Sequence, residues 1–190
     1  MTTVAVIIVS YNTRDLLRAC LTSVQAAARY AGIPAAVWVV DNAGGDGSAE
    51  MVAAEFPQVH LLALPRNIGF TAANNLALAS LGFDASVPPD MPVTRARPLP
   101  DYVLLLNPDA ELTLGSLRGF VQVMDRQPQA GVCGAYLQYG DGRFQHGAFA
   151  FPTLGQVLLD FFPLTGIPGA HRLHASRWNG RYPRHLWDGT

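Results

Sequence analysis

Short uninterrupted apolar runs alternate along this chain with stretches whose apolar residues recur every three to four positions. Val4 to Val9 is the first run and ends at Ser10-Tyr11-Asn12. Thr13 then opens a segment carrying Leu16, Leu17, Cys20, Leu21 and Val24, the spacing of one helix face, which Gly32 and Pro34 close. A second buried strand is predicted over Val37 to Val40, ending at Asp41-Asn42, and the turn Gly44-Gly45-Asp46-Gly47-Ser48 leads into a helix from Ala49 to Phe56 with Asp46 or Ser48 as N-cap. Val59 to Leu64 reads as a third strand, and Asn67-Ile68-Gly69-Phe70 introduces an Ala- and Leu-rich helix to about Leu81. Such strand and helix alternation implies an α/β fold, a parallel sheet with right-handed crossovers and helices on both faces.

The proline-rich stretch from Asp84 to Pro100 reads as a surface loop, long enough to suggest a function of its own. Tyr102 to Leu106 follows, an apolar run that stops at Asn107-Pro108-Asp109 and therefore reads as a strand buried on both faces. A helix is predicted from about Leu114 to Arg126, stopped before Pro128. A further strand is predicted from Val132 to Tyr139, with Gly140-Asp141-Gly142 as a hairpin turn. Leu154, Val157, Leu158 and Phe161 have the spacing of a short amphipathic helix, read as core or as a face resting on a membrane, and beyond Thr165 the chain reads as loop. Residues 1–140 make the expected core and 141–190 a partial further region.

With 49% hydrophobic residues among 190, one core of ordinary size is within reach. The net charge of −1 excludes bulk electrostatic binding to nucleic acid. Two cysteines, Cys20 and Cys133, cannot build a disulfide framework or a cysteine-rich zinc site, which fits a reducing cytosol. No export leader is visible after Met1, and no run approaches the roughly 20 apolar residues of a membrane span. The expected location is cytoplasmic, or peripheral at the inner face of the membrane.

In an open α/β sheet ligands bind beyond the carboxyl ends of the strands. Three of those ends carry polar groups: Ser10-Tyr11-Asn12, Asp41-Asn42 and Asn107-Pro108-Asp109. A tyrosine with hydroxyl and amide neighbours can stack on a base, a carboxylate can accept from a base imide or ribose hydroxyl, and Asp109 can offer a hard oxygen to Mg²⁺ or Mn²⁺ carrying phosphates. Asn, Pro and Asp are also ordinary turn residues, and one such tip alone would be read as a turn. Gly45-Asp46-Gly47 makes no dinucleotide fingerprint, because Glu50 stands where the third glycine belongs. His171 and His174 lack further ligands nearby and read as solvated, while Arg172, Arg177, Arg181 and Arg184 with Trp178 and Trp187 read as a basic aromatic surface or a solvated tail.

Four motifs in order, Ile7-Ile8-Val9-Ser10-Tyr11-Asn12, Val39-Val40-Asp41-Asn42 with Gly45-Asp46-Gly47-Ser48, Asn67-Ile68-Gly69-Phe70 with Asn75, and Leu105-Leu106-Asn107-Pro108-Asp109-Ala110, resemble the inverting glycosyltransferases of family 2 over roughly residues 4 to 140. The resemblance, to the rhamnosyltransferase-like branch, implies a GT-A, Rossmann-like fold and a nucleotide-diphospho-sugar donor such as dTDP-rhamnose or a UDP-sugar. It also implies a saccharide or lipid-linked acceptor and no nucleic acid partner. By that resemblance Ser10, Tyr11, Asn12 and Asp41 line the base and ribose pocket, Asn67, Gly69 and Asn75 lie beside the diphosphate, and Asn107 and Asp109 stand where the family has its Asp-x-Asp metal motif. An amide replaces the first carboxylate, so Asp109 is the expected metal ligand.

The family's acidic pair, whose aspartate deprotonates the acceptor, has no match after Asp109. Glu111, Asp125, Asp141, Asp160 and Asp188 remain, with Asp188 the best positional guess, and the catalytic base is left unassigned. The chain is accordingly expected to be a shortened transferase with an incomplete C-terminal part, or a catalytically silent nucleotide-sugar binding module. A sugar nucleotidyltransferase would need a Gly-rich loop with Arg or Lys after the first strand, and Ser10-Tyr11-Asn12-Thr13 is not one.

Overall fold

The computed structural model describes residues 2–91, 98–145 and 154. In chain order the elements are β1 (Val4–Ser10), α1 (Arg14–Ala31), β2 (Ala35–Asp41), α2 (Ser48–Glu55), β3 (His60–Ala63), α3 (Phe70–Leu81), β4 (Tyr102–Leu106), α4 (Ser116–Arg126), β5 (Leu137–Gln138) and β6 (Phe144–Gln145). The chain divides into two units at the Gln127–Pro128 junction.

Within the first unit four parallel strands lie in the order β3-β2-β1-β4. β1 is buried along its whole length, which is why its sequence is an unbroken apolar run rather than an alternation. Val4, Val6 and Ile8 face α1, α2 and α4 through Leu17, Leu21, Val24, Val52 and Leu117. Ala5, Ile7 and Val9 face α3 through Ala73, Ala77 and Leu81. The expected α/β class, with helices on both faces of a parallel sheet, is therefore the observed one. On the α3 side Trp38 of β2 stacks on His60 of β3 with ring centroids 4.4 Å apart.

Three local expectations are corrected. The run Tyr102–Leu106 is not buried on both faces: α3 packs chiefly on β1 and β2, and although Val103 reaches the α3-side cluster, Leu105, in register with Ile7, is 54% exposed. The N-cap position of α2 falls to Gly47, whose φ of 79° suits glycine, while Asp46 acts from one residue earlier, its Oδ1 accepting the Ser48 amide at 3.1 Å and hydroxyl at 2.7 Å. The strand expected from Val132 to Tyr139 shrinks to Leu137–Gln138, because Val132 is 88% exposed and has no apolar face to join.

In the second unit β5 and β6 pair antiparallel across the expected turn, where Gly142 N–H donates to Tyr139 O and Arg143 bonds Asp141. The helix expected between Pro152 and Pro163, apart from Leu154, lies outside the described residues, as do His171, His174, Asp160, Asp188 and the Arg/Trp segment. Among the described residues no helix is long and apolar enough to cross a membrane.

Candidate functional site

The sheet register decides where the polar tips meet. Ser10 pairs with Asp41 across β1 and β2, and Ile8 pairs with Leu106 across β1 and β4. Asp41 and the Asn107–Asp109 turn therefore leave the same edge of the sheet, on either side of β1. With strands about 4.8 Å apart, two spacings put their backbones roughly 10 Å from each other.

At the β1 and β2 tips the backbone is held in conformations that side chains resist. Asn12 (φ 55°) and Ala43 (φ 65°) are the non-glycine residues with positive φ among those described, and both flank this edge. Strain of this kind, of order 1–3 kcal/mol for each residue, persists where surrounding contacts over-determine it and is concentrated at functional sites. Here the contacts are explicit. Asn12 Oδ1 accepts the Gly45 amide at 2.8 Å, Asp46 Oδ2 accepts the Arg14 amide at 2.8 Å, and the Asn42 amide donates to Ser10 O at 2.8 Å.

Asp41 is 4% exposed. Its Oδ1 accepts the Gly44 amide at 3.3 Å, whereas Oδ2 takes no hydrogen bond from the described residues. Burial pushes this carboxyl above its ordinary value, and the Gly44 amide only partly opposes the shift. A Cβ on Gly44 would lie 2.9 Å from Asp41 Oδ1, closer than real contacts allow, and 3.2 Å from Asn12 N, tighter than most. Gly44→Ala is thus expected to displace the carboxylate and cost about 1–3 kcal/mol, the usual range for overpacking. Chemical denaturation would register the loss, and an unchanged midpoint would mean that the loop has room to spare.

Ser10 is fully buried and shares its hydroxyl with Thr13 at 2.8 Å, so it sets the exit of β1 rather than presenting an atom to a ligand. Tyr11, 52% exposed, and Asn12 stand on the surface beside it. Asn67 is drawn toward the same edge from the β3–α3 turn, its Oδ1 accepting from Asn42 Nδ2 at 3.0 Å and from the Gly69 amide at 2.9 Å. Asn42 Oδ1 in turn accepts the Ile68 amide at 2.9 Å. Asn42 was not among the expected binding residues, yet it joins the β2 tip to the α3 entry; its place next to Asp41 at a strand end was the available signal. Gly69 has φ 82° and ψ 163°, a region open essentially to glycine, and delivers the chain into α3, on whose first two turns Asn75 lies half-buried.

On the other side of β1, the Asn107 carbonyl accepts the Ala110 amide at 3.2 Å and the Cys20 thiol at 3.6 Å. Burial, with smaller contributions from the charges of Glu111 and Asp109, pushes that thiol up to about 12, so it acts as a buried donor and not as a nucleophile. The Asn107 and Asp109 side chains are exposed and make no protein hydrogen bonds among the described residues. No group of three or more His, Cys, Asp or Glu able to hold a metal occurs among the described residues.

Two of the other acids have partners of their own. Asp125 of α4 accepts from the Tyr102 hydroxyl at 2.6 Å, at the opposite end of β4 from Asp109, and Asp141 pairs with Arg143 in the second unit.

Residues 5–85 match the family model described as glycosyl transferase family 2. Over that span the chain is similar to this family. The sheet, with its helices on both faces, is accordingly a GT-A, Rossmann-like arrangement. A curated relative, the N-acetylglucosaminyl-diphospho-decaprenol L-rhamnosyltransferase of Mycobacterium tuberculosis, is 29% identical over 173 residues, 88% of this chain and 53% of the relative. The chain thus spans about half the length of the curated relatives it matches. Among solved structures, S. aureus TarS 1-349 in complex with UDP-GlcNAc is 20% identical with a TM-score of 0.48, over 67% of this chain and 32% of that one. The mannosyltransferase PcManGT from Pyrobaculum calidifontis, in complex with GDP-Man and Mn²⁺, is 22% identical with a TM-score of 0.43, over 64% and 32%.

Proposed function

We propose that this chain binds a nucleotide-diphosphate sugar across the tips of β1, β2 and β4 and transfers the sugar to a saccharide or lipid-linked acceptor by inverting displacement. The observation that carries this reading is the register that brings Asp41 and Asp109 to one sheet edge on either side of β1. Asp41 Oδ2 accepts from the base imide or a ribose hydroxyl, Tyr11 stacks on the base, and Asn67, Gly69 and Asn75 flank the diphosphate. The name of the curated relative supports a deoxyhexosyl donor and an acceptor whose sugar is carried on a polyprenyl diphosphate. The protein's location under this reading is the cytoplasm, or the inner surface of the membrane where such an acceptor is reached.

Mg²⁺ or Mn²⁺ fits the residues present on a specific condition. The Asn107–Asp109 tip offers one exposed carboxylate, Asp109, with the neutral Asn107 amide beside it. Mg²⁺ accepts such a site, since it keeps several waters and uses one or two carboxylates plus substrate phosphates. When bound, the ion neutralises charge on the departing diphosphate. A consequence is that metal affinity should depend on the nucleotide: Mn²⁺ titrated into the protein alone, followed by its paramagnetic resonance, is expected to stay free, and to be taken up by the protein beyond what the nucleotide binds by itself once the nucleoside diphosphate is added. Tight Mn²⁺ binding to the protein alone would refute the one-carboxylate site.

A second reading is a nucleotide-sugar binding module without turnover. It is favoured by the pairing of Asp125 with Tyr102 at the far end of β4, which leaves Glu111 as the nearest further acid in sequence to Asp109. Purified protein incubated with metal and a panel of nucleotide sugars separates the two: both bind, and only the transferase releases nucleoside diphosphate by transfer or slow hydrolysis. Failure to bind any member of the panel would remove both.

A further inference from the structure

The outer face of α3 carries a cavity that shares Gly69 and Asn75 with the proposed diphosphate site, while Phe70, Thr71 and Ser86 in its lining have no role there. Its volume is about 500 Å³, within the roughly 300–1,000 Å³ that small-molecule sites occupy. One wall is the first turns of α3, with Phe70, Thr71 and Asn75; the other is the returning segment Ser86 to Pro88. Met91 is buried, its amide bonded to Pro88 O at 3.1 Å, and Arg66 reaches Asp90 at 2.8 Å, so the second wall is tied back to the residue preceding Asn67.

The lining beyond Gly69 and Asn75 carries no charged side chain, so a charged group would gain no ion pair against Phe70, Thr71 and Ser86. It also combines two features that one class of ligand needs together. Phe70 is 57% exposed, an aromatic surface without an apolar cover. Thr71 and Asn75, one helical turn apart on the same face, and Ser86 opposite them present two hydroxyls and an amide without hydrogen-bond partners among the described residues. Asn74 contrasts with them, since its amide is consumed by Phe70 O at 2.9 Å. A pyranose ring has an apolar C–H face for the aromatic and a rim of hydroxyls for the neutral polar groups.

The cavity is also connected to the nucleotide edge by a short chain of contacts. Gly69, at its mouth, donates to Asn67; Asn67 is bonded to Asn42; and Asn42 adjoins Asp41. We infer that this cavity is a monosaccharide subsite, formed by Phe70, Thr71, Asn75 and Ser86, which holds the sugar ring of the donor or of the acceptor. The inference deepens the proposed transferase reading and rests on it for the identity of the two sources.

The test uses the full chain and paired ligands. Calorimetry with UDP against UDP-N-acetylglucosamine, and dTDP against dTDP-rhamnose, gives the increment in affinity owed to each sugar. Phe70→Ala and Thr71→Val are expected to remove a three- to tenfold increment, roughly one aromatic or hydrogen-bond contact, while the free diphosphates bind unchanged. That result assigns the subsite to the donor ring. An unaltered increment, combined with shifts of the Thr71 and Ser86 amide resonances on adding free rhamnose or N-acetylglucosamine, assigns it to the acceptor ring. If neither the increment nor those resonances respond, the subsite is overturned. If no nucleotide binds the unaltered chain, the transferase reading fails, and the amide shifts with free monosaccharide still decide the cavity: their presence supports the subsite and their absence removes it.

Discussion

Replacing Asp109 by Asn is expected to abolish metal-dependent binding of the nucleotide-sugar donor while leaving the fold intact. The side chain is exposed and makes no hydrogen bond among the described residues, so its amide isostere removes little beyond a charge. That charge is the chain's one carboxylate contribution within the Asn107–Asp109 tip, because Asn107 stands where a second acid would share the load. Changes to groups that merely support a metal ligand cost roughly 10- to 100-fold in affinity. Loss of the ligand itself is expected to exceed that range, measured by calorimetry with Mg²⁺ or Mn²⁺ and again with chelator. Equal affinities for the two proteins in the presence of metal would exclude the role.

The second large effect is at Asp41, where function and stability should move in opposite directions. A hydrogen bond from a base or ribose to a charged acceptor contributes about 1.5–3 kcal/mol, so Asp41→Asn is expected to weaken nucleotide binding by roughly 10- to 150-fold. Burial raises the folded carboxyl above its unfolded value, which means the native state holds its proton over a pH window where the unfolded chain has lost it. Stability therefore falls as pH rises through that window and stays lower once the carboxylate is ionised. Asn removes the penalty and keeps an oxygen for the Gly44 amide, so the variant should melt higher at neutral pH, by roughly 2–4 °C for each kcal/mol gained. Its melting temperature should also lose the part of the pH dependence owed to Asp41. Nucleotide affinity of the unaltered chain should decline on acidification at a higher pH than an ordinary carboxylate would give. A variant that melts lower at neutral pH would mean that the ionised carboxylate stabilises the fold instead.

Much of this arrangement was legible in the sequence because the central strands have no polar face. β1 and β2 are buried on both sides, so their apolar runs and abrupt polar ends mark both the strands and the binding edge. β4 carries the same signal with a different outcome: Leu105 is apolar yet uncovered, since helix coverage depends on where α3 lands across the sheet and not on β4 itself. Val132 is likewise apolar yet uncovered among the described residues.

Within the candidate site, the residue types at the tips were readable, but their division of labour was not. Ser10 turns inward to Thr13, and Asn42 spans 25 residues to reach Asn67. A serine and an asparagine at strand ends look alike in sequence, whether they face a ligand or fasten two loops. The strained backbone at Asn12 and Ala43 has no sequence signature beyond the tolerance of Asn for positive φ. The cavity beside Phe70 depends on the return of Ser86 to Pro88 along α3, a tertiary contact that local pattern does not encode.

The account turns on three strand tips acting as one nucleotide-sugar site. Its most direct test is a backbone-amide resonance titration of the full chain with a nucleoside diphosphate and Mg²⁺. Residues 10–12, 41–42 and 107–109 are expected to shift together along a single binding isotherm, with the set from 107 to 109 losing its response when metal is omitted. Shifts confined to one tip, or separate isotherms for the Asp41 and Asp109 sides, would contradict it.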